Sequence, residues 1–133
     1  MKAYDFKKIE SIKEALSYLE NLPEDKDYSL VFPFEILPSG HSFMIKVRRK
    51  GDEFIFKDNG DIMAGLFLSG IDTSSQKFKN KITFLCRLNK VFFDELREEF
   101  IYYTSIKELE PSLLKFIIFL TMISAAETWL RAI

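Results

Sequence analysis

Residues 42–70 read SFMIKVRRKGDEFIFKDNGDIMAGLFLSG, and their order decides the fold class. Phe43, Ile45 and Val47 alternate with Met44, Lys46 and Arg48, the period of a half-buried strand. The reading is a strand over Ser42–Arg49, a turn at Lys50-Gly51-Asp52, and a second strand over Glu53–Lys57. Asp58-Asn59-Gly60-Asp61 then stops the strand. Asn-Gly favours positive φ, and Asp61 is expected to cap a helix over Ile62–Ser69. Gly70 stands where a helix C-terminal glycine belongs. Two strands, a tight turn and a helix in this order indicate an α+β domain.

Toward the N-terminus, Tyr28–Leu37 is a third β-rich run, set off by Pro38-Ser39-Gly40. Together the three runs make an antiparallel meander. Pro33 cannot donate to a ladder, so the first strand is expected at an edge or with a bulge. Further upstream, Ser11-Ile12-Lys13-Glu14 fits a capping box. Ile12, Leu16 and Leu19 form the stripe of an amphipathic helix that ends before Pro23.

Toward the C-terminus, the 72–75 run, Asp-Thr-Ser-Ser, offers caps for a helix over Gln76–Leu88, whose apolar face is Phe78, Ile82 and Leu85. Val91–Phe93 and Phe100–Thr104 read as a second hairpin around the charged segment Asp94–Glu99. Phe92 and Phe93 cannot both face inward from one regular strand, and the outward one is the first candidate for a partner contact. The last helix is expected from Pro111 to Ala132, with Pro at its start. It is apolar almost all round from Leu113 to Ile123, which implies burial on several sides or in an oligomer interface. The expected fold is therefore one α+β domain over residues 1–133. An antiparallel sheet, made of a meander and a hairpin, carries helices mainly on one face.

Composition excludes several classes. The 133 residues are 47% hydrophobic and 29% charged, a globular balance and not a disordered one. Fourteen Phe, five Tyr and one Trp mark a core rich in rings. One His and one Cys exclude an intrachain disulfide and an ordinary Cys/His zinc site. No secretory leader is apparent at the N-terminus, and the unpaired Cys86 fits the reducing cytoplasm. The longest charge-free apolar run, Phe116–Ala126, is half of the roughly 20 residues that a spanning helix needs. A buried helix is expected there, and no membrane contact.

Few side chains carry obvious chemistry. His41 follows a turn and has no neighbouring ligand or nucleophile elbow. Asp52, Asp58 and Asp61 surround Lys57; carboxylates beside a lysine at a strand end can hold Mg²⁺ for phosphodiester cleavage. Their loose spacing fits turn chemistry and one helix cap better, so no catalytic residue, metal or cofactor is assigned. Cys86 lies near the apolar face of its helix and reads as a buried, inert thiol.

Charge is balanced overall, with a formal net charge of −1, but it is segregated. Residues 76–90 hold Lys77, Lys79, Lys81, Arg87 and Lys90 without an acid. Lys46, Arg48, Arg49 and Lys50 form a second basic cluster, while residues 94–110 carry six acids against two bases. Such fields can contact phosphates or steer a charged protein partner.

The sequence from Glu53 to Thr104 gives a strand, Lys57-Asp58-Asn59-Gly60, an apolar helix with Leu66, then Leu68-Ser69-Gly70-Ile71-Asp72, a basic helix and Leu88-Asn89-Lys90-Val91. In this it resembles the prophage-associated family catalogued as domain of unknown function 1828. That resemblance implies a phage or mobile-element setting and no known catalytic residue. Lys77, Lys79 and Lys81 stand where the family would have an arginine-lysine pair.

Three functions are expected from these features. The first is a non-enzymatic protein-binding module, phage- or prophage-encoded, directed at a host or defence protein. The second is a nucleic-acid-binding protein or metal-dependent nuclease. It would use Arg48, Arg49, Lys77, Lys79, Lys81 and Arg87, with the Asp52/Asp58/Asp61 cluster for cleavage. The third is a homo-oligomer joined through Leu113–Ile123.

Overall fold

A computed structural model of the chain describes residues 6–8, 10–32 and 43–125. His41, the segment around Pro33 and Pro38, and residues 126–132 of the expected last helix lie outside the described residues. The strands are β1 (Phe6–Lys8), β2 (Asp27–Val31), β3 (Met44–Lys50), β4 (Glu53–Lys57), β5 (Phe92–Asp94) and β6 (Glu99–Ser105). The helices are α1 (Ile12–Glu20), α2 (Asp61–Leu68), α3 (Gln76–Leu88) and α4 (Leu109–Ser124), the last entered through a 3-10 turn at Ile106–Glu108.

One six-stranded sheet has the order β1-β2-β3-β4-β6-β5. From β2 to β5 every pairing is antiparallel, so the meander and the second hairpin fuse into one sheet through β4 and β6. The short β1 runs parallel to β2 and closes its outer side. This corrects the edge alternative expected for that strand: β2, Asp27–Val31, is an interior strand, and the alternative of a bulge at Pro33 lies outside the described residues.

Alternation assigns each residue to a face. Tyr28, Leu30, Ile45, Val47, Phe54, Phe56 and Phe100 point to one side and are buried. All four helices pack there, joined into the same core through residues such as Leu19, Leu66, Phe78 and Phe116. Each fully buried Phe contributes roughly 1.5–3 kcal/mol by leaving water. Phe116 of α4 lies nearly parallel to both Phe56 and Tyr102, with ring centroids at 6.1 and 5.9 Å. Phe119 meets Phe100 edge-on at 5.4 Å. The Thr104 and Ser112 hydroxyls pair at 2.6 Å and tie α4 to β6 where both groups are buried.

Local chemistry sets the helix starts. Ser11 accepts from the Glu14 N–H and Ser75 from the Phe78 N–H, each satisfying a donor that the helix leaves free. The reciprocal half of the α1 capping box is shifted by one residue: Glu14 accepts from Glu10 N–H. Gly70, at φ +97°, follows α2 in the left-handed region that suits glycine. Helix α4 begins at Leu109, two residues earlier than expected, which puts Pro111 in its first turn, where its missing N–H still costs nothing.

Among the described residues no helix is long and apolar enough to cross a membrane. Most of the apolar circumference of α4 is used inside the domain; Leu114 (38%) and Ile118 (66%) are its exposed large side chains.

Candidate binding surface

The side of the sheet opposite the helices carries the residues between the core positions. The strand registers place Phe92 beside Ile101, Ile55 beside Tyr103, Lys46 beside Lys57, and Arg48 beside Asp27. Phe92 and Tyr103 meet edge to face at 5.4 Å, yet they remain 61% and 55% exposed. Ile55 and Ile101 are half-buried next to them. The result is an apolar patch with two rings standing out of it, held by adjacent strands and not by a loop.

Phe93 faces the other way, packing on Phe100 at 4.9 Å. The outward residue of the pair is therefore Phe92, and its core-facing neighbour drops out as a contact candidate.

The charges on this face nearly cancel. Lys46, Arg48, Lys50 and Lys57 are matched by Asp27, Glu53, Asp94 and Glu99 at outward register positions. Arg48 Nε donates to Asp27 Oδ1 at 2.9 Å. Lys57 Nζ lies 4.0 Å from Glu99 Oε1, a buried oxygen with no hydrogen-bond partner. Lys46 and Lys57 sit directly across β3 and β4 from one another, a like-charge pairing that costs stability in a sheet.

Arg49 does not belong to this surface, although its neighbour Arg48 does. One residue along the strand, it points to the helix side. Its guanidinium donates to the Glu20 carbonyl at 2.8 Å and lies 5.3 Å from the Phe54 ring centre. It thus satisfies a carbonyl at the end of α1 and is structural. The basic strand and basic helix do not form one patch either, because α3 packs on the helix side of the sheet, near β5. On α3, Lys77, Lys79 and Arg87 are exposed and Lys81 is half-exposed, lying over Phe84 at 5.6 Å.

The acidic cluster scatters. Asp52 is in the turn before β4, while Asp58 and Asp61 follow it, so the strand separates them. Among the described residues no group of three or more His, Cys, Asp or Glu side chains could hold a metal ion. Asp58 is instead a buried staple. Its Oδ1 accepts from Phe100 N–H at 2.7 Å and Gly60 N–H at 3.3 Å, and its Oδ2 accepts from Ile62 N–H at 3.2 Å. It serves the start of α2 in the role expected of Asp61, which lies inside the first turn. Burial pushes the Asp58 carboxyl up to about 7, against the downward pull of the three N–H groups. Asn59 and Gly60 both adopt positive φ, which these two residue types tolerate best. Cys86 is buried, and desolvation pushes its thiol up to about 12, which makes it a packing residue and not a nucleophile.

Sequence reasoning missed Tyr103, Ile55 and Ile101. The signal was present as alternation in FIYYTS, but the direction of that alternation depends on the register with β4. Comparisons of the chain with family models, curated proteins and solved structures find no match.

Proposed function

We propose that the chain is a non-enzymatic protein-binding module whose partner docks on the face of the sheet opposite the described helices. The observation that carries this reading is the Phe92–Tyr103 pair, two exposed rings in mutual contact on the face opposite the described helices. An apolar centre with a polar rim is how protein interfaces are built, and rigid aromatic side chains dominate their binding energy. The even balance of cations and carboxylates around the rings gives a phosphate polymer no net attraction. The resemblance to a prophage-associated family supports a phage-encoded module acting on a host or defence protein.

The test is capture of partners from host lysate by the wild-type chain and by a Phe92→Ala/Tyr103→Ala variant. A protein recovered at stoichiometric yield by the wild type and lost by the variant supports the reading. Recovery of nucleic acid alone would sink it. Nucleic-acid binding is a second reading, favoured by the acid-free set Lys77, Lys79, Lys81, Arg87 and Lys90. It predicts oligonucleotide binding that weakens steeply with salt.

A further inference from the structure

Helix α3 has an outward flank that the sheet-face reading leaves unused. Lys77, Lys81, Phe84 and Leu88 follow one another at i, i+4, i+7 and i+11, a single stripe at 3.6 residues per turn. Phe84 is 55% and Leu88 67% exposed, and Lys77, Asn80, Lys81 and Phe84 line a shallow concavity. Phosphates would account for the lysines and leave the two large apolar side chains unexplained. A protein surface that is acidic and apolar accounts for both.

The chain itself presents such a surface. The tip of the β5–β6 hairpin carries Glu95, Leu96, Arg97 and Glu98, with two acids against one base, and Leu96 is 91% exposed, the most exposed large apolar side chain in the described structure. Glu95 and Glu98 line a cleft together with Lys79 and Thr83, which lie on the other flank of α3. The cationic stripe and the acidic tip therefore border the same exposed ridge of α3 from opposite sides.

This placement has a symmetry consequence. A two-fold axis running along the ridge lays the stripe of each copy on the tip of the other, twice over, and closes the assembly. An axis across the ridge would set lysine against lysine. The geometry points to a two-fold dimer of this chain. In it Lys77, Lys81, Phe84 and Leu88 of one copy receive Glu95, Leu96 and Glu98 of the second. The proposal does not rest on the reading of the Phe92–Tyr103 face.

A charge-swap experiment tests it, read as mass by light scattering, with circular dichroism and thermal melts confirming the fold. The wild type is expected at twice the chain mass, falling toward one chain mass as salt rises. Lys77→Glu/Lys81→Glu and Glu95→Lys/Glu98→Lys are each expected to be monomeric, since each sets like charges together. An equimolar mixture of the two is expected to restore the dimer. Leu96→Asp, at an exposed turn position, gives a second monomeric variant should either double variant fold poorly. Phe92→Ala/Tyr103→Ala is expected to stay dimeric. A wild type that stays monomeric at about 100 μM would overturn the proposal. So would a mixture that stays monomeric, or a monomer that binds single-stranded DNA through Lys77 and Lys81.

Discussion

The backbone N–H of Phe100 donates to Asp58 Oδ1 at 2.7 Å across 42 residues of chain, and Asp58 N–H donates back to the Phe100 carbonyl at 3.3 Å. This reciprocal pair locks the turn after β4 to the start of β6, next to the strand end from which the exposed rings project. Asp58→Ala strands the buried N–H groups of Ile62 and Phe100 and the part-buried N–H of Gly60. It is expected to cost about 3 kcal/mol, since each unsatisfied buried donor costs about 1–3. Asp61→Ala, in the first turn of α2, is expected to cost less than about 1 kcal/mol. Urea midpoints of the two variants check the order.

The same carboxyl gives stability a pH dependence of unusual sign. Its value rises from the ordinary 3.8 to about 7 in the folded chain, so the folded state holds the proton more tightly than the unfolded one. The contribution of Asp58 is then fully present below the ordinary value and is lost as pH rises through about 7. Thermal melts from about pH 5 to about pH 8 should show the wild type losing stability relative to Asp58→Asn, which cannot titrate there. A constant difference between the two proteins over that range would contradict the assignment.

Lys46 and Lys57 face each other but have different neighbours, so their reversals should act in opposite directions. Lys46→Glu replaces a like-charge cross-strand pair by an ion pair and is expected to stabilise the chain by about 0.5 kcal/mol. Lys57→Glu removes the cation 4.0 Å from the buried Glu99 oxygen and is expected to destabilise by about 3 kcal/mol. Chemical denaturation of both variants distinguishes them.

Gly60 and Gly51 both have positive φ, at +78° and +60°, but their surroundings differ. A Cβ on Gly60 would lie 3.2 Å from the Arg97 carbonyl oxygen, while one on Gly51 would meet nothing within 4 Å. Gly51→Ala is expected to cost about 1–2 kcal/mol from backbone conformation alone. Gly60→Ala is expected to cost more, because the hairpin tip must also yield. Comparison of the two melting temperatures is the measurement.

Cys86 is expected to resist alkylation in the folded state and to react fully in urea, since both burial and a raised thiol value suppress the thiolate. Iodoacetamide labelling followed by mass spectrometry reads this directly. Rapid labelling without denaturant would contradict the reading of Cys86 as an inert packing residue.

Alternation around Phe43 and Phe54, the Asn59-Gly60 turn, the Ser11 and Ser75 caps and the 3.6-residue face of α3 all rest on neighbours within about one or two turns of chain. Local sterics and local hydrogen bonds decide such features, so the sequence alone determined most of the elements, the α+β class and the placement of most rings in the core. It did not reveal β1, whose three residues are too short for a period and depend on a parallel partner across α1. Nor did it separate Arg48 from Arg49 by role, place Asp52 apart from Asp58, or choose Phe92 over Phe93. Those outcomes follow from strand register and from bonds such as Asp58–Phe100 that close over tens of residues. A shift of one residue would have reversed every face. The elements were therefore written in the local pattern, whereas the binding surface exists only once the sheet is assembled.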